Sequence, residues 1–517
     1  MQHNVPIAHP SFPTEESVAV EFAVSLDAPE ALACDALGVG IAADSPALDG
    51  AAARVDKALG GLLSTVLAEE KFDGKLGSTL VVHTHGRIPA RKIIAVGLGS
   101  KSSLSLDHVR RAAATVVRQA ARVHAARVGI APALIPSLGP EEATQARVEG
   151  AILGAYRFLR YKRDEVGHVA HVTLLAADPA QQKLMEAGVS RGRLFADATV
   201  FARDLVNEPP NHLPPVRLAE IATETARKVG LKCSVLDVNA MKALGMEALL
   251  AIGLGSDQPP RLIVVEYSPA KARQTIALVG KGVCYDSGGI NLKTQDLEWM
   301  KSDMAGGAAV LATLQALPAL GAPVRVLGVV AAVENLPSGH AVKPGDIVRA
   351  MNGKTVEINN TDAEGRVILA DALAYAAQQR PDEIIDLATL TGSALVAFGY
   401  LAAAVMGNDP PLIQRLLAAA QQAGERLWEL PLYEEFLDNM RSPIADLRNS
   451  GSRFGGAQKG AIFMREFVDG RPWAHLDIAP TAFLDKEEGT NPYVPTGGTG
   501  YGVRTLLTYL AGTSNTM

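Results

Sequence analysis

Strand-like apolar runs and stretches of helical periodicity alternate along the whole chain. In the first part, residues 18–26, 79–83 and 92–96 read as strands and 106–125 as a helix. A second helix lies near 142–160, and another strand at 169–176. Residues 181–207 form a long helical pattern that stops at Glu208-Pro209-Pro210-Asn211, where the prolines remove backbone donors and force extended geometry. From Pro215 onward the alternation resumes with stronger strands at 261–266, 275–279, 324–333 and 383–387. These are nearly continuous in apolar residues, as in a sheet covered on both faces. The expectation is an α/β protein of two domains. A smaller N-terminal α/β domain spans 1–180 and a linking helix 181–208. A larger C-terminal catalytic domain, 209–517, has a mostly parallel central sheet flanked by helices.

At 517 residues the chain exceeds the usual size of one hydrophobic core. Apolar residues make up 48% and charged ones 20%, a globular balance, and the net charge of -6 argues against a protein whose main task is coating nucleic acid or anionic membrane. Cys34, Cys233 and Cys284 are far apart and form no C-x-x-C pair, so neither a disulfide framework nor a thiolate zinc site is indicated. The N-terminus, interrupted by Pro10 and Pro13, lacks the basic start and apolar run of a secretory signal. The most apolar stretches, such as 324–333, are too short to span a bilayer. A cytoplasmic protein with no membrane partner is expected.

The chemistry concentrates in two segments. The strand at Ile276 runs into Lys281-Gly-Val-Cys-Tyr-Asp286-Ser-Gly-Gly289, then Lys293 and Asp303, so two lysines and two aspartates surround one glycine-rich bend. Such a bend lets Asp286 point into a cleft, although a turn with a surface ion pair would carry the same residues. The second segment, Asn359-Asn-Thr361-Asp362-Ala-Glu364-Gly-Arg366, leads into an amphipathic helix from Val367. Thr361-x-x-Glu364 is a capping-box pattern, which explains those two residues but not Asp362 and Arg366 beside them. If Asp286, Asp303, Asp362 and Glu364 converge, they cannot all stay ionised unless cations neutralise them. Oxygen-rich clusters of this kind suit two hard or borderline divalent ions. His212, His340 and His475 show no H-E-x-x-H spacing.

Val279-Gly-Lys281-Gly through Asp286-Ser-Gly-Gly, with Asn360-Thr-Asp-Ala-Glu-Gly-Arg366, resembles the leucine aminopeptidase family, also called cytosol aminopeptidases. Further matches are Asp204-Leu-Val-Asn-Glu-Pro-Pro-Asn, Glu334-Asn-Leu-Pro-Ser-Gly, Asp386-Leu-Ala-Thr-Leu-Thr-Gly392, Trp473-Ala-His-Leu-Asp-Ile-Ala and Gly500-Tyr-Gly-Val-Arg504. The resemblance implies two divalent ions per subunit, Mn2+, Zn2+ or Mg2+. Asp286 and Glu364 would bridge them, Lys281 and Asp303 complete one site, and Asp362 the other. It gives Lys293 the task of stabilising the oxyanion and Arg366 that of holding a bicarbonate general base. It points to Met300, Thr389 and Gly392 for the side-chain pocket, to apolar residues such as leucine at the free N-terminus of peptides as substrates, and to a homohexamer. Cys284-Tyr285 stands where Thr-Phe is common, Val367 replaces Leu, His340 replaces Asn and Glu208 replaces Thr; none of these removes a ligand.

A two-metal phosphatase would also cluster carboxylates, but such enzymes usually recruit histidines, which are scarce here. Gly280-Lys281 lacks the preceding glycine and following Ser/Thr of a P-loop, and Gly97-Leu-Gly99 lacks the third glycine of a dinucleotide fingerprint. A second hypothesis is an additional DNA-binding role, not expected as the main one, since some relatives bind DNA and Arg110, Arg111, Arg118 and Arg122 recur on one predicted helix. The alternative for that helix is a solvated or intersubunit face.

Overall fold

The computed structural model describes residues 20–45, 47–131, 138–162, 167–486 and 491–512. The Pro10 and Pro13 segment, and residues 18 and 19 of the first predicted strand, lie outside them.

The N-terminal domain is built on a six-stranded sheet in the order Glu21–Ser25, His171–Leu175, Arg127–Ile130, Ala36–Ala42, Lys92–Gly99, Thr79–His83. All neighbours are parallel except the last pair. Two of its strands escape a reading by periodicity. Ala36-Leu-Gly-Val-Gly-Ile-Ala and Arg127-Val-Gly-Ile are interrupted by glycines, which weaken any strand signal. The glycines are there for packing: a Cβ on Gly38 would stand 2.6 Å from Val116 Cγ2 of the covering helix Leu106–Arg122.

The C-terminal domain holds an eight-stranded sheet in the order Leu427–Glu429, Ala403–Gly407, Trp473–Asp477, Glu383–Ala388, Thr275–Asp286, Arg325–Asn335, Arg261–Tyr267, Lys232–Leu236. The four central strands, from Trp473–Asp477 to Arg325–Asn335, run parallel, and antiparallel pairs flank them on both sides. Two apolar cores cover the two faces. One is supplied by helices Pro179–Asn207, Ala305–Leu320 and Val503–Gly512, the other by Glu247–Gly253, Glu364–Gln378 and Gly456–Arg465. Helix Glu364–Gln378 is buried on nearly every side, so the amphipathic face expected for it is absent. Val367, Ile368, Leu369 and Ala370, four consecutive residues, are each fully buried.

The helix Pro179–Asn207 connects the two sheets. Asp178 caps its start, accepting from Gln181 N at 2.9 Å, and the following Pro209 and Pro210 end it. Arg203, only 1% exposed, donates to Leu153 O at 3.1 Å, Tyr493 O at 2.6 Å and Thr499 O at 2.9 Å, and so ties this helix to both halves of the chain. The stretch Leu297–Leu320 is long and apolar enough to cross a membrane by composition, which corrects the expectation that every apolar run is too short. Most of that stretch is buried inside the domain, against the sheet and the linking helix, as a core helix is.

Candidate metal centre

The strand predicted to end at Val279 continues to Asp286, so Lys281 is a mid-strand residue rather than part of the bend. The turn comes at Gly288 and Gly289, with φ of 88° and 65°, values that L side chains rarely adopt. Space forbids a side chain too: a Cβ on Gly288 would lie 2.8 Å from Asp362 Oδ1, and one on Gly289 2.8 Å from Asn335 Oδ1. The capping box at Thr361 does not form. Ala363 is the N-cap of the following helix, and the Thr361 hydroxyl instead donates to Gly288 O at 2.7 Å and accepts from Asn291 N at 2.8 Å. Tertiary bonding to the bend thus outcompetes local capping and clamps the two acidic segments together.

One ligand atom each from Asp286, Asp362 and Glu364 lies within 4.8 Å of the others. Asp303 joins from the segment Leu297–Met304 through Lys281, whose Nζ stands 2.6 Å from Asp303 Oδ1 and 2.7 Å from Glu364 Oε1 and donates to Thr389 O at 2.8 Å. Lys293 Nζ lies 2.8 Å from Asp286 Oδ2 and also bonds Asp362. Two ammonium groups therefore sit among four carboxylates. Burial pushes Asp303 well above its usual range, and burial with the Glu364 charge brings Asp286 up to about 6. Burial would raise Glu364 as well, but Lys281 and Lys293 hold it below its usual value. Burial disfavours the charged form of both lysines, yet the surrounding acids raise them.

Two lysines cannot fully compensate four acids in a dry site. The deficit shows in two buried oxygens, Asp303 Oδ2 and Glu364 Oε2, that have no hydrogen-bond partner among the described residues. Unpartnered buried carboxylate oxygens are costly unless a cation meets them, so the donor set fits hard or borderline divalent ions.

Arg366 is 8% exposed; its Nη1 donates to Asn449 O at 3.0 Å and its Nε has no partner. Thr389 Oγ1 donates to Asp303 Oδ1 at 2.7 Å, Met300 is half-buried in the same segment as Asp303, and a Cβ on Gly392 would meet open space. Three supporting residues carried no assigned role in the sequence. Asn335, paired in register with Asp286, donates to Asp286 Oδ1 at 2.8 Å and Thr361 O at 3.0 Å. Asn449 donates to Asn360 O at 2.7 Å. Asp477 accepts from Thr391 Oγ1 at 2.6 Å and Leu390 N at 3.2 Å, fixing the loop that carries Thr389. No spacing rule marks them, because each acts across strands or loops far apart in sequence.

The histidines and Cys284 stay outside the chemistry. His475 is buried on Asp386 at 2.6 Å, and His212 stacks on Tyr161 with ring centroids 5.4 Å apart. Burial raises the Cys284 thiol well above its usual range, so no thiolate forms there.

The arginine helix is not a solvent-facing stripe. Arg110, 3% exposed, pairs with Glu149 at 2.5 Å and donates to Gln422 O at 3.0 Å; Arg111 pairs with Asp107 at 2.8 Å; Arg118 donates to Pro492 O at 3.1 Å. Only Arg122 of the four is exposed. The face is committed to contacts within the chain.

The family described as "Cytosol aminopeptidase family, catalytic domain" matches residues 200–507, and its "N-terminal domain" matches 36–165. The chain belongs to the cytosol aminopeptidase family. As a cytosol aminopeptidase it is a hydrolase that acts on peptide N-termini, and the family depends on a dinuclear metal centre. It is 44% identical to the "Probable cytosol aminopeptidase" of Alkaliphilus oremlandii, over 91% of this chain and 95% of that protein. It is also 44% identical to the one from Geobacter sulfurreducens, over 93% and 97%. Among solved structures, the bottromycin maturation enzyme BotP in complex with Mn superposes with a TM-score of 0.83 at 38% identity, covering 93% of this chain and 99% of that one. A mutant of tomato leucine aminopeptidase superposes with a TM-score of 0.86 at 32% identity, covering 95% and 96%.

Proposed function

We propose that this cytosol aminopeptidase releases N-terminal apolar residues, leucine foremost, from peptides at the centre formed by Asp286, Asp303, Asp362 and Glu364. The observation that carries the reading is the convergence of Asp286, Asp362 and Glu364 within 4.8 Å beside buried carboxylate oxygens with no protein partner. Asp286 and Glu364 would be shared by two divalent ions, with Lys281 and Asp303 on one and Asp362 on the other. Mn2+, the ion in the BotP complex, and Zn2+ or Mg2+ suit this donor set. When bound, such ions supply Lewis acidity and lower the pKa of water towards neutrality.

The chain's own residues supply the rest. Lys281 would take its place as a free amine, having given up the proton it shares with Asp303 and Glu364. Lys293 is one-fifth exposed and fixed by Asp286 and Asp362, so its ammonium is positioned to stabilise negative charge developing on a scissile carbonyl. Arg366 would hold bicarbonate as the proton acceptor, and its unpartnered Nε is a donor that such an anion would satisfy. The half-buried Met300, with Thr389 and the side-chain-free Gly392, would form the pocket for the substrate side chain, residue types suited to varied apolar groups. A homohexamer and a cytoplasmic location complete the reading by family resemblance. The arginine helix lends no support to an added DNA-binding role.

The test is metal analysis with hydrolysis of Leu-X dipeptides before and after chelation. Activity should fall with metal content and return on adding Mn2+ or Zn2+. Full hydrolysis by a thoroughly demetallated sample would sink the proposal.

A further inference from the structure

The N-terminal domain contains a buried cation that no described residue neutralises. Arg147, on helix Pro140–Ala155, is 7% exposed. Among the described residues no carboxylate, carbonyl or hydroxyl bonds its guanidinium, and burial is the sole influence on its ionisation, bringing it down to about 10. The side chain therefore stays charged at neutral pH. Three other deeply buried arginines are provided for: Arg203 by three carbonyls, Arg110 by Glu149, and Arg504 by Glu149 and Glu425 at 3.6 and 3.5 Å. A cation out of water without a counter-charge is strongly disfavoured.

Arg147 lines a cavity of about 30 Å³ that has no acidic residue among its described lining residues. Its walls include Val39, Leu98, Val116 and Ile130, and His108 is its other ionisable group. The His108 ring lies 2.8 Å from Ser105 Oγ, and burial holds it below its usual range, so it adds no second positive charge at neutral pH. The cavity lies towards the carboxyl ends of three mutually parallel strands, Ala36–Ala42, Lys92–Gly99 and Arg127–Ile130, the edge where open α/β sheets place ligands.

We infer that this cavity is a binding site for a small monovalent anion, held by the Arg147 guanidinium. A volume of about 30 Å³ admits a chloride ion or a carboxylate group. The site belongs to the N-terminal domain and does not depend on the metal centre.

Two measurements on the full chain test this. Crystals soaked in sodium bromide should show an anomalous peak at the Arg147 guanidinium. In thermal melts at constant ionic strength, chloride and acetate should raise Tm by about 1–2 °C at tenfold excess over Kd, relative to gluconate, a carboxylate too bulky for the cavity. A rise with acetate alone would assign the site to carboxylates; a rise with both assigns it to monovalent anions in general. Arg147→Met should abolish the rise, and Arg147→Lys should retain part of it. No anion density at Arg147 after bromide or acetate soaks, or an equal rise in Arg147→Met, overturns the inference. The bromide measurement needs no variant and stands even if Arg147→Met does not fold.

Discussion

Replacing Gly365 by alanine puts a methyl group where the Lys281 side chain runs. A Cβ there would stand 2.5 Å from Lys281 Cε, 2.7 Å from Nζ and 2.9 Å from Cδ. Comfortable carbon–carbon contact begins near roughly 3.5 Å, so the lysine must retreat by about 1 Å. Its Nζ bonds to Asp303 and Glu364 are only 2.6 and 2.7 Å long, and a displacement of that size breaks at least one of them. Misplacing a catalytic constellation by about 1 Å costs on the order of a hundredfold in rate, or about 2.7 kcal/mol of barrier. The fold should lose less, about 1 kcal/mol, because the crowded neighbour is the end of a flexible side chain rather than backbone. Leucine anilide hydrolysis, metal content and thermal melts should be measured on the same preparation. A variant with normal melting, full metal content and kcat/KM within about twofold of wild type would refute the reasoning, since Lys281 would then tolerate being moved.

Lys293→Gln should lower kcat by roughly 10²–10³ with little change in KM, the pattern of an interaction made mainly in the transition state; steady-state kinetics on Leu-Gly would show it, and an unchanged kcat would remove Lys293 from the chemistry. Burial raises Asp371 to about 7, although its carboxylate accepts from Leu249 N at 2.8 Å and Met351 N at 2.7 Å. Between the unfolded value near 4 and the folded value near 7 the folded state binds more protons, so this group's contribution to stability falls as pH rises through that window and is flat above it. Denaturant titrations from pH 4 to 8 should show that slope reduced in Asp371→Asn, and identical slopes would remove Asp371 as its source.

The site was more legible in the sequence than the strands that carry it. Asp286, Asp362 and Glu364 stand out because they lie in two short glycine-bearing segments, and the capping pattern that accounts for Glu364 leaves Asp362 and Arg366 beside it unexplained. Ala36–Ala42 and Arg127–Ile130 are hidden by packing glycines. Trp473–Asp477 carries no clear strand signal, since its buried His475 and Asp477 break the apolar run that would mark it. Thr361 and Glu364 matched a local rule, yet the Gly288 carbonyl, 73 positions away, claimed the hydroxyl. The arginines of Leu106–Arg122 failed similarly, because Glu149, Gln422 and Pro492 are partners that no neighbouring sequence reveals. Local reading succeeds where chemistry is concentrated in one segment and fails where a distant group competes for the same atoms.

The charge cluster at the junction of the halves has a practical corollary. Glu149 serves Arg110 of its own half and, at 3.6 Å, Arg504 of the other, while Arg203 gathers carbonyls from both. Severing the chain after the connecting helix would leave charged groups on each cut face with nothing to meet them but solvent. A graft that exchanges N-terminal portions among relatives must therefore carry Arg110, Glu149, Arg203, Glu425 and Arg504 as one inherited cassette, or rebuild the seam.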